Sequence, residues 1–320
     1  MANIDRYLKA ATRQNTRVTY QSAIRHFEED WGGLLPATAN NVAEYLAEYA
    51  DKLAFSSLKT RVSALARWHQ DQGFPDPTDS PLVKAVLKGI RAEHPHRPKQ
   101  ASPISIEQLQ QLDEWFQQQL SCQRKNPSVY MQLLRNRALL YLGFWRAFRS
   151  EELCRIDVAD IEFRHYGEMA IYLDRSKGDR RQIGKTYPVP ALKALCPVAA
   201  SRQWLDESGI VNGPMFRKID RWGNLHAEAM HPNSLGKLIR KLFKSAGIAG
   251  FEVFTSHSLR RGFATWAASN GWDTKTLMAY VGWRDAQTAL KYVESRDPFA
   301  SMRALSGKSV TFDTTETLPE

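Results

Sequence analysis

The chain has 320 residues, 43% hydrophobic and 24% charged, which suffices for a globular protein of two domains. Lysine and arginine outnumber aspartate and glutamate by 44 to 34, a net charge of +10 that favours an anionic partner, nucleic acid before a membrane surface. The three cysteines lack metal-ligand spacing, no apolar run reaches membrane-spanning length, and no secretory signal begins the chain. We therefore expect a cytoplasmic protein without a metal site, a disulfide framework or a membrane segment.

The segment before residue 94 predicts helices. Apolar residues recur there at helical spacing in three stretches, Tyr20, Ile24, Phe27 and Trp31, then Val42, Leu46 and Tyr49, then Leu58, Val62, Leu65 and Trp68. Ser80 and Pro81 supply an N-cap and a first-turn proline for another helix. We expect residues 1–93 to form a four- to five-helix bundle. Its basic side chains form either a solvated face or a DNA-binding face, for which the candidates are Arg25, Lys59, Arg61 and Arg67.

Three prolines between residues 94 and 103 cannot continue a helix, so this segment predicts an extended linker. A second domain is expected over residues 104–308, followed by a flexible tail over residues 309–320. The whole chain is predicted to be mainly α with a small antiparallel β-sheet, an α+β class.

The second domain carries local signals for both helices and strands. Its predicted helices begin at the capping-box pair Ser105 and Gln108, at Ser128, after Pro197, after Pro232, and at a cap formed by Thr255 or Ser256. Residues 169–173 and 185–189 predict two strands joined by a polar turn, and residues 214–217 predict a further strand.

Two arginines of this domain lie three residues from another polar side chain. Arg149 precedes Glu152, and His257 precedes Arg260. Positions i and i+3 share a helix face, so Glu152 could orient Arg149, while His257 and Arg260 could face one anion near a helix N-terminus. Taken alone, the first pair is typical of a surface ion pair and the second of a partly buried polar pair. Arg261 follows on a different face, and we interpret it as a backbone-contacting or structural residue.

Three further residues complete a possible site. Lys177 lies in the polar turn between the two predicted strands, where lysines are usually exposed, and Lys185 belongs to the same hairpin. Tyr292 follows Trp283 by nine residues, with a helix start expected at Asp285. Either aromatic residue would, alone, be typical of packing.

The ordered set resembles the tyrosine recombinase, or phage integrase, family. The family pattern is Arg-x-x-Glu-Leu, a lysine in a β-hairpin, His-x-x-Arg, Gly-His or Gly-Trp, and a tyrosine nine residues on, and each part occurs here in order. Trp283 stands where most members carry histidine, as in the Cre branch. The resemblance implies an N-terminal core-binding domain and a C-terminal catalytic domain. Because the predicted bundle begins close to residue 1, we expect no arm-binding domain before it.

The resemblance implies site-specific recombination of DNA through a 3′-phosphotyrosyl intermediate and a Holliday junction. It assigns one role to each side chain: Arg149 and Arg260 grip a phosphate, Tyr292 attacks phosphorus, His257 moves a proton, Lys177 protonates the leaving oxygen, Trp283 donates its N–H, and Glu152 supports Arg149. The choice between Lys177 and Lys185 as the acid stays open. The covalent ester conserves the bond energy, so no cofactor is expected, in agreement with the lack of a Walker-type loop.

The implied partner is double-stranded DNA with inverted-repeat recombination sites. The protein is expected to be a monomer in solution and a homotetramer on DNA, bacterial or phage-encoded, and nucleoid-associated when bound; Arg261 joins the candidates for DNA contact. Two alternatives remain. A type IB topoisomerase would relax DNA without a specific site, and a non-catalytic DNA-binding protein derived from a recombinase would form no covalent adduct.

Overall fold

The computed structural model describes residues 6–7, 12, 14–95, 100–174 and 184–293. Lys177, residues 96–99 of the predicted linker and the predicted tail over residues 309–320 lie outside these ranges. The chain divides into two compact units, residues 1–99 and 100–320, and the division falls inside the predicted linker.

The first unit is a bundle of amphipathic helices. The described residues of this unit form four long helices: α1, Gln14–Arg25, which continues as a π-helical turn over His26–Asp30; α2, Ala39–Glu48; α3, Phe55–Asp71; and α4, Pro81–Glu93. Ser80 caps α4 by accepting the Val83 backbone N–H at 3.2 Å, as predicted. Phe27, Tyr45 and Leu58 come from different helices, and all three are fully buried in the core of the unit.

The second unit is built around one buried helix. Its helices are α5, Ile106–Cys122; α6, Pro127–Trp145; α7, Ser150–Cys154; α8, Pro197–Ser208; α9, Ser234–Ser245; α10, Ser258–Ser269; α11, Thr274–Val281; and α12, Ala286–Val293. Apart from Arg137, residues 133–144 of α6 are all buried, and α5, α8 and α10 pack against this helix. The capping box of Ser105 and Gln108 at the start of α5 is confirmed.

Two small antiparallel sheets flank these helices. The strands are β1, Ile161–Phe163; β2, Met169–Leu173; β3, Lys185–Val189; β4, Arg217–Ile219; and β5, Leu225–Ala229. The first sheet has the order β1-β2-β3, with Met169 opposite Val189 and Leu173 opposite Lys185, so the predicted hairpin strands are confirmed. The second sheet pairs β4 with β5.

Two local expectations are wrong. The strand predicted over residues 214–217 begins only at Arg217, since Pro214 forms an isolated bridge with Asp157 instead of joining the ladder. Helix α10 starts at Ser258, and neither Thr255 nor Ser256 is its N-cap.

Aromatic packing fixes α10 and α11 against the end of α6. Phe263 of α10 stacks on Tyr280 of α11, with ring centroids 5.0 Å apart, and the Tyr280 hydroxyl donates to the Trp145 carbonyl at 2.7 Å. Gly262 allows a close approach from outside these helices, because a β-carbon there would lie 2.2 Å from the Ile104 carbonyl oxygen. Among the described helices, none has the length and apolar composition needed to cross a membrane.

Candidate active site

Glu152 fixes the position of Arg149 at the start of α7. One carboxylate oxygen accepts the Arg149 backbone N–H at 2.8 Å, and the other accepts the guanidinium Nη1 at 2.7 Å. The Glu152 side chain is only 7% exposed and that of Arg149 is 21% exposed. The pair is therefore not a surface ion pair but a partly buried clamp that limits where the guanidinium can point.

A tight turn presents His257 at the start of α10. The Thr255 hydroxyl accepts the His257 backbone N–H at 3.2 Å, and the buried Ser258 hydroxyl accepts the Thr255 N–H at 2.9 Å. These two bonds lie in the turn before the helix, which begins at Ser258, later than expected, and His257 occupies the capping position with no side-chain cap among the described residues.

A backbone carbonyl in the turn that follows α6 holds the Arg260 guanidinium. Its Nη1 donates to the Ala147 carbonyl at 2.7 Å, and its side chain is buried. Ala147 has a φ of 51°, a left-handed conformation that a β-carbon disfavours, and this turns its carbonyl toward the arginine. Nη2 of Arg260 is buried without a hydrogen-bond partner among the described residues.

Trp283 and Tyr292 form a stacked pair. Their ring centroids are 5.0 Å apart and their planes differ by 10°. Gly282, with a φ of 74°, ends α11 and turns the chain toward Trp283. Asp285 accepts the Gln287 N–H at 3.0 Å, which caps α12 and agrees with the predicted helix start.

These elements meet at one open cavity of about 390 Å³, referred to below as the active-site cavity. Five of the predicted catalytic side chains line it together with five neighbours: Arg149, His257, Arg260, Trp283 and Tyr292, with Arg261, Gly282, Arg284, Asp285 and Thr288. Glu152 supports the cavity through Arg149. The structure thus brings together residues 143 positions apart in sequence, from 149 to 292.

Arg261 is the main correction to the sequence interpretation of the site. It does not point away from Arg260 but lines the same cavity, with its Cζ atom 5.3 Å from the Tyr292 ring centroid. Arg260 and Arg261 are consecutive on α10, so their side chains leave the helix in different directions. Helix α12 packs near α10 and brings the Tyr292 ring to Arg261. No local sequence pattern encodes that long-range contact.

Burial and nearby charges shift the pKa values of Arg260 and Tyr292. Burial, and then the nearby positive charge of Arg149, lowers the pKa of Arg260 to about 10. Burial raises the pKa of Tyr292, while the charges of Arg261 and Arg260 oppose that rise. The charges of Arg261 and Arg260 therefore favour the phenolate, but in this structure burial has the larger effect on the Tyr292 pKa.

The two candidate lysines differ in what the structure shows. Lys177 lies outside the described residues. Lys185 lines a second cavity, beside Arg146 and Tyr280, and its ammonium donates to the Ala279 carbonyl at 3.4 Å. Lys185 is not among the side chains that line the active-site cavity.

The DNA-contact candidates of the first unit lie in different surroundings. Arg25 and Lys59 are exposed, Arg25 within 3.8 Å of Glu29. Arg67 pairs with Asp71 at 2.9 Å. Arg61 is half-buried, and its charge opposes the rise that burial causes in the Tyr45 pKa. Arg25, Lys59 and Arg67 are thus all exposed, and Arg61 is the less accessible candidate.

Comparison with known proteins gives the family. A profile described as the phage integrase family matches residues 125–298. The integrase/recombinase xerD homolog of Selenomonas ruminantium is 32% identical over 272 residues, which are 83% of this chain and 76% of that protein. Recombinase cre of Escherichia phage P1 is 25% identical over 278 residues, covering 82% of this chain and 77% of the relative.

Solved structures share the fold. The Tn1549 transposon integrase in complex with circular intermediate DNA has a TM-score of 0.60 at 20% identity, covering 96% of this chain and 97% of that one. The XerH site-specific recombinase bound to palindromic difH substrate has a TM-score of 0.59 at 19% identity, covering 91% and 78%. The predicted fold class is confirmed, with a helical first unit and a second unit that carries small antiparallel sheets.

The chain belongs to the phage integrase family of tyrosine recombinases. The two arginines, the histidine and the tyrosine of the family pattern all line the active-site cavity.

Proposed function

We propose that the chain is a site-specific recombinase that cleaves and rejoins duplex DNA through a covalent link between Tyr292 and a 3′-phosphate, by way of a Holliday junction. One observation carries the proposal. Arg149, Arg260 and Tyr292 line the same cavity, and Arg260 retains a buried N–H group without a partner among the described residues. Buried guanidinium groups without enough acceptors favour an anion, and a phosphodiester offers two oxygens to such donors.

The anion would be activated where it binds. During attack, charge accumulates on the non-bridging oxygens, and donors already in place there stabilise the transition state by roughly 3–4 kcal/mol each in other enzymes. The Glu152 clamp and the Ala147 carbonyl keep the two guanidinium groups in position before DNA arrives. Their orientation then costs little at the moment of reaction.

Proton transfers complete the reaction. Tyr292 loses its proton as it attacks phosphorus, with His257 as the acceptor, and the 5′-oxygen leaves after taking a proton from Lys177. Lys185 is the weaker candidate for this acid because it lines the second cavity. Trp283 holds the Tyr292 ring by stacking and offers its indole N–H to the phosphate. Rejoining reverses these steps.

In this proposal residues 1–93 are the core-binding domain, 94–103 the linker, 104–308 the catalytic domain and 309–320 the tail. The net charge of +10 provides salt-dependent affinity for phosphates. Recombination joins two duplexes and needs four cleavage sites, so the active assembly is a homotetramer on inverted-repeat sites, formed from monomers, in a cytoplasmic protein that is nucleoid-associated when bound. Sequence similarity to proteins named recombinases supports recombination as the proposed reaction.

The test is covalent capture from a library of random duplexes, with wild type and Tyr292→Phe compared at equal DNA occupancy. We expect wild type to retain a reproducible sequence after denaturation, whereas Tyr292→Phe binds DNA without retaining any. Capture that is independent of sequence, with relaxation of any supercoiled plasmid, would favour a type IB topoisomerase. Binding without capture by either protein would favour a non-catalytic DNA-binding protein.

A further inference from the structure

Two consecutive arginines of α10 each cover one ring of the stacked aromatic pair. The Cζ atom of Arg260 lies 5.5 Å from the Trp283 ring centroid, and that of Arg261 lies 5.3 Å from the Tyr292 ring centroid. Both distances fall within the range of favourable cation–π contact, which extends to about 6 Å. The Tyr292 ring is therefore in contact with Trp283 and with Arg261.

Arg261 is anchored differently from Arg260. Its Nη1 donates to the Gln100 side-chain oxygen, in the segment that precedes α5, whereas Arg260 donates to the Ala147 carbonyl, in the turn that follows α6. Nε of Arg261 is buried and has no hydrogen-bond partner within the described part of the chain. The anchor at Gln100 restricts the guanidinium, whose Cζ atom lies over the Tyr292 ring.

The charge of Arg261 has a direct consequence for the nucleophile. A cation beside a phenol stabilises the ionised form more than the neutral form. The charges of Arg261 and Arg260 both lower the pKa of Tyr292, against the effect of burial. The effect of Arg261 is the larger of the two. Arg260 has a second partner in the bound phosphate under the proposed function, whereas Arg261 faces the ring.

We propose that Arg261 is a positioning residue for DNA cleavage, which holds the Tyr292 ring against Trp283 and supplies positive charge beside the attacking oxygen, and that it does not serve as a DNA phosphate contact. The inference rests on the proposed function and extends it to a residue outside the family pattern of Arg-x-x-Glu-Leu, His-x-x-Arg and tyrosine. Two contacts of Arg261 support it: the guanidinium lies over the Tyr292 ring, and its Nη1 donates to the Gln100 side chain.

The experiment separates charge from packing. Arg261→Met keeps much of the side-chain length without charge, and Arg261→Lys restores a charge; Lys275→Met removes a charge from an exposed position on α11 that does not line the active-site cavity. On the duplex captured by wild type, we measure the Kd, its salt dependence and the single-turnover cleavage rate at saturating DNA. Thermal unfolding confirms that each variant is folded.

We expect Arg261→Met to bind with a Kd within about twofold of wild type but to cleave about tenfold more slowly, in the range for loss of a partly buried cation–π contact. Arg261→Lys should recover the rate to within about threefold of wild type, because an ammonium group also makes cation–π contacts, and Lys275→Met should cleave like wild type. Three results would each overturn the inference: unchanged cleavage by Arg261→Met, weaker binding with a shallower salt dependence but normal cleavage at saturation, or no recovery by lysine.

The Tyr292→Phe control distinguishes failure of the proposed function from failure of the proposed role of Arg261. If wild type forms no adduct that depends on Tyr292, the proposed function is wrong and the role of Arg261 is wrong with it. If wild type forms the adduct and Arg261→Met forms it at the same rate, the proposed function stands and only the inference about Arg261 fails.

Discussion

Glu152 binds both the backbone and the side chain of Arg149, at 2.8 and 2.7 Å. The carboxylate is almost completely buried, so it serves this one arginine rather than solvent. The arrangement couples the start of helix α7 to the direction of a guanidinium that faces the active-site cavity.

Replacement of Glu152 by alanine should therefore reduce both stability and cleavage. Since Arg149 is partly exposed and can be rehydrated, we expect a loss of about 2–3 kcal/mol in the free energy of unfolding, at the low end for a broken buried pair. The single-turnover cleavage rate should fall by about tenfold or more because the guanidinium is no longer held. Glu151→Ala is the matched control on the same helix, where the side chain is exposed, and should change stability by less than about 0.5 kcal/mol. Equal effects at the two positions would contradict the clamp.

Gly262 should not tolerate a methyl group. A β-carbon would lie 2.2 Å from the Ile104 carbonyl oxygen, and backbone on both sides must then move. We expect Gly262→Ala to lower the free energy of unfolding by about 3 kcal/mol, as in other overpacked cores. The control is Gly89→Ala in α4, where the added β-carbon meets no atom within 4 Å and alanine favours the helix by about 1 kcal/mol. Thermal unfolding of both variants measures the contrast, and a Gly262→Ala protein as stable as wild type would show that Ile104 is not packed as described.

Tyr45 should make the stability of the first unit sensitive to alkaline pH. Burial raises the pKa of Tyr45 to about 12, and its hydroxyl lies 2.9 Å from Nδ1 of His26. Because the folded-state pKa is above the unfolded value of about 10, the contribution is complete below pH 10 and is lost as the pH rises to about 12. A difference of about 2 pKa units corresponds to at most about 3 kcal/mol. Urea unfolding at pH 9 and pH 11.5 should show a smaller loss for Tyr45→Phe than for wild type, and identical losses would disprove the assignment.

Lys59 should contact DNA phosphate if the first unit binds as proposed. The side chain is exposed on α3, whereas Arg67 on the same helix is paired with Asp71. Loss of one phosphate contact reduces the slope of log K against log salt by about 0.9. Lys59→Gln should show this reduction at all DNA sequences, and Lys84→Gln, which removes a lysine paired with Asp79 on α4, should not. An unchanged slope for Lys59→Gln would remove this residue from the DNA surface.

Local patterns predicted much of this structure because the signals and the contacts they describe lie close together in sequence. Ser105 and Gln108 cap α5 within one turn, and the alternation around Met169 and Lys185 sets the strands of one hairpin. The convergence of five predicted site residues on one cavity was also predictable, since they were recognised as an ordered pattern rather than by their positions in space. Sequence alone left open whether each of these side chains belonged to an ordinary ion pair, polar pair or packing contact. The structure shows that five of them line one cavity.

The features that sequence did not predict depend on contacts between distant segments or on competition within a turn. Arg261 reaches Tyr292 because α12 crosses near α10, and no spacing rule for one helix contains that information. The Thr255 hydroxyl accepts the His257 N–H within the turn that precedes α10, and the helix begins only at Ser258. Ala147 adopts a left-handed conformation where glycine is usual, and its purpose is visible only from the Arg260 hydrogen bond that its carbonyl accepts.

The central claim is that the Tyr292 hydroxyl attacks phosphorus. The most direct test is to digest the trapped protein–DNA complex with protease and nuclease and to identify the modified peptide by mass spectrometry. The account predicts a nucleotide esterified through its 3′-phosphate to Tyr292, and no such peptide from Tyr292→Phe. A nucleotide attached to another residue, or attached through a 5′-phosphate, would contradict it.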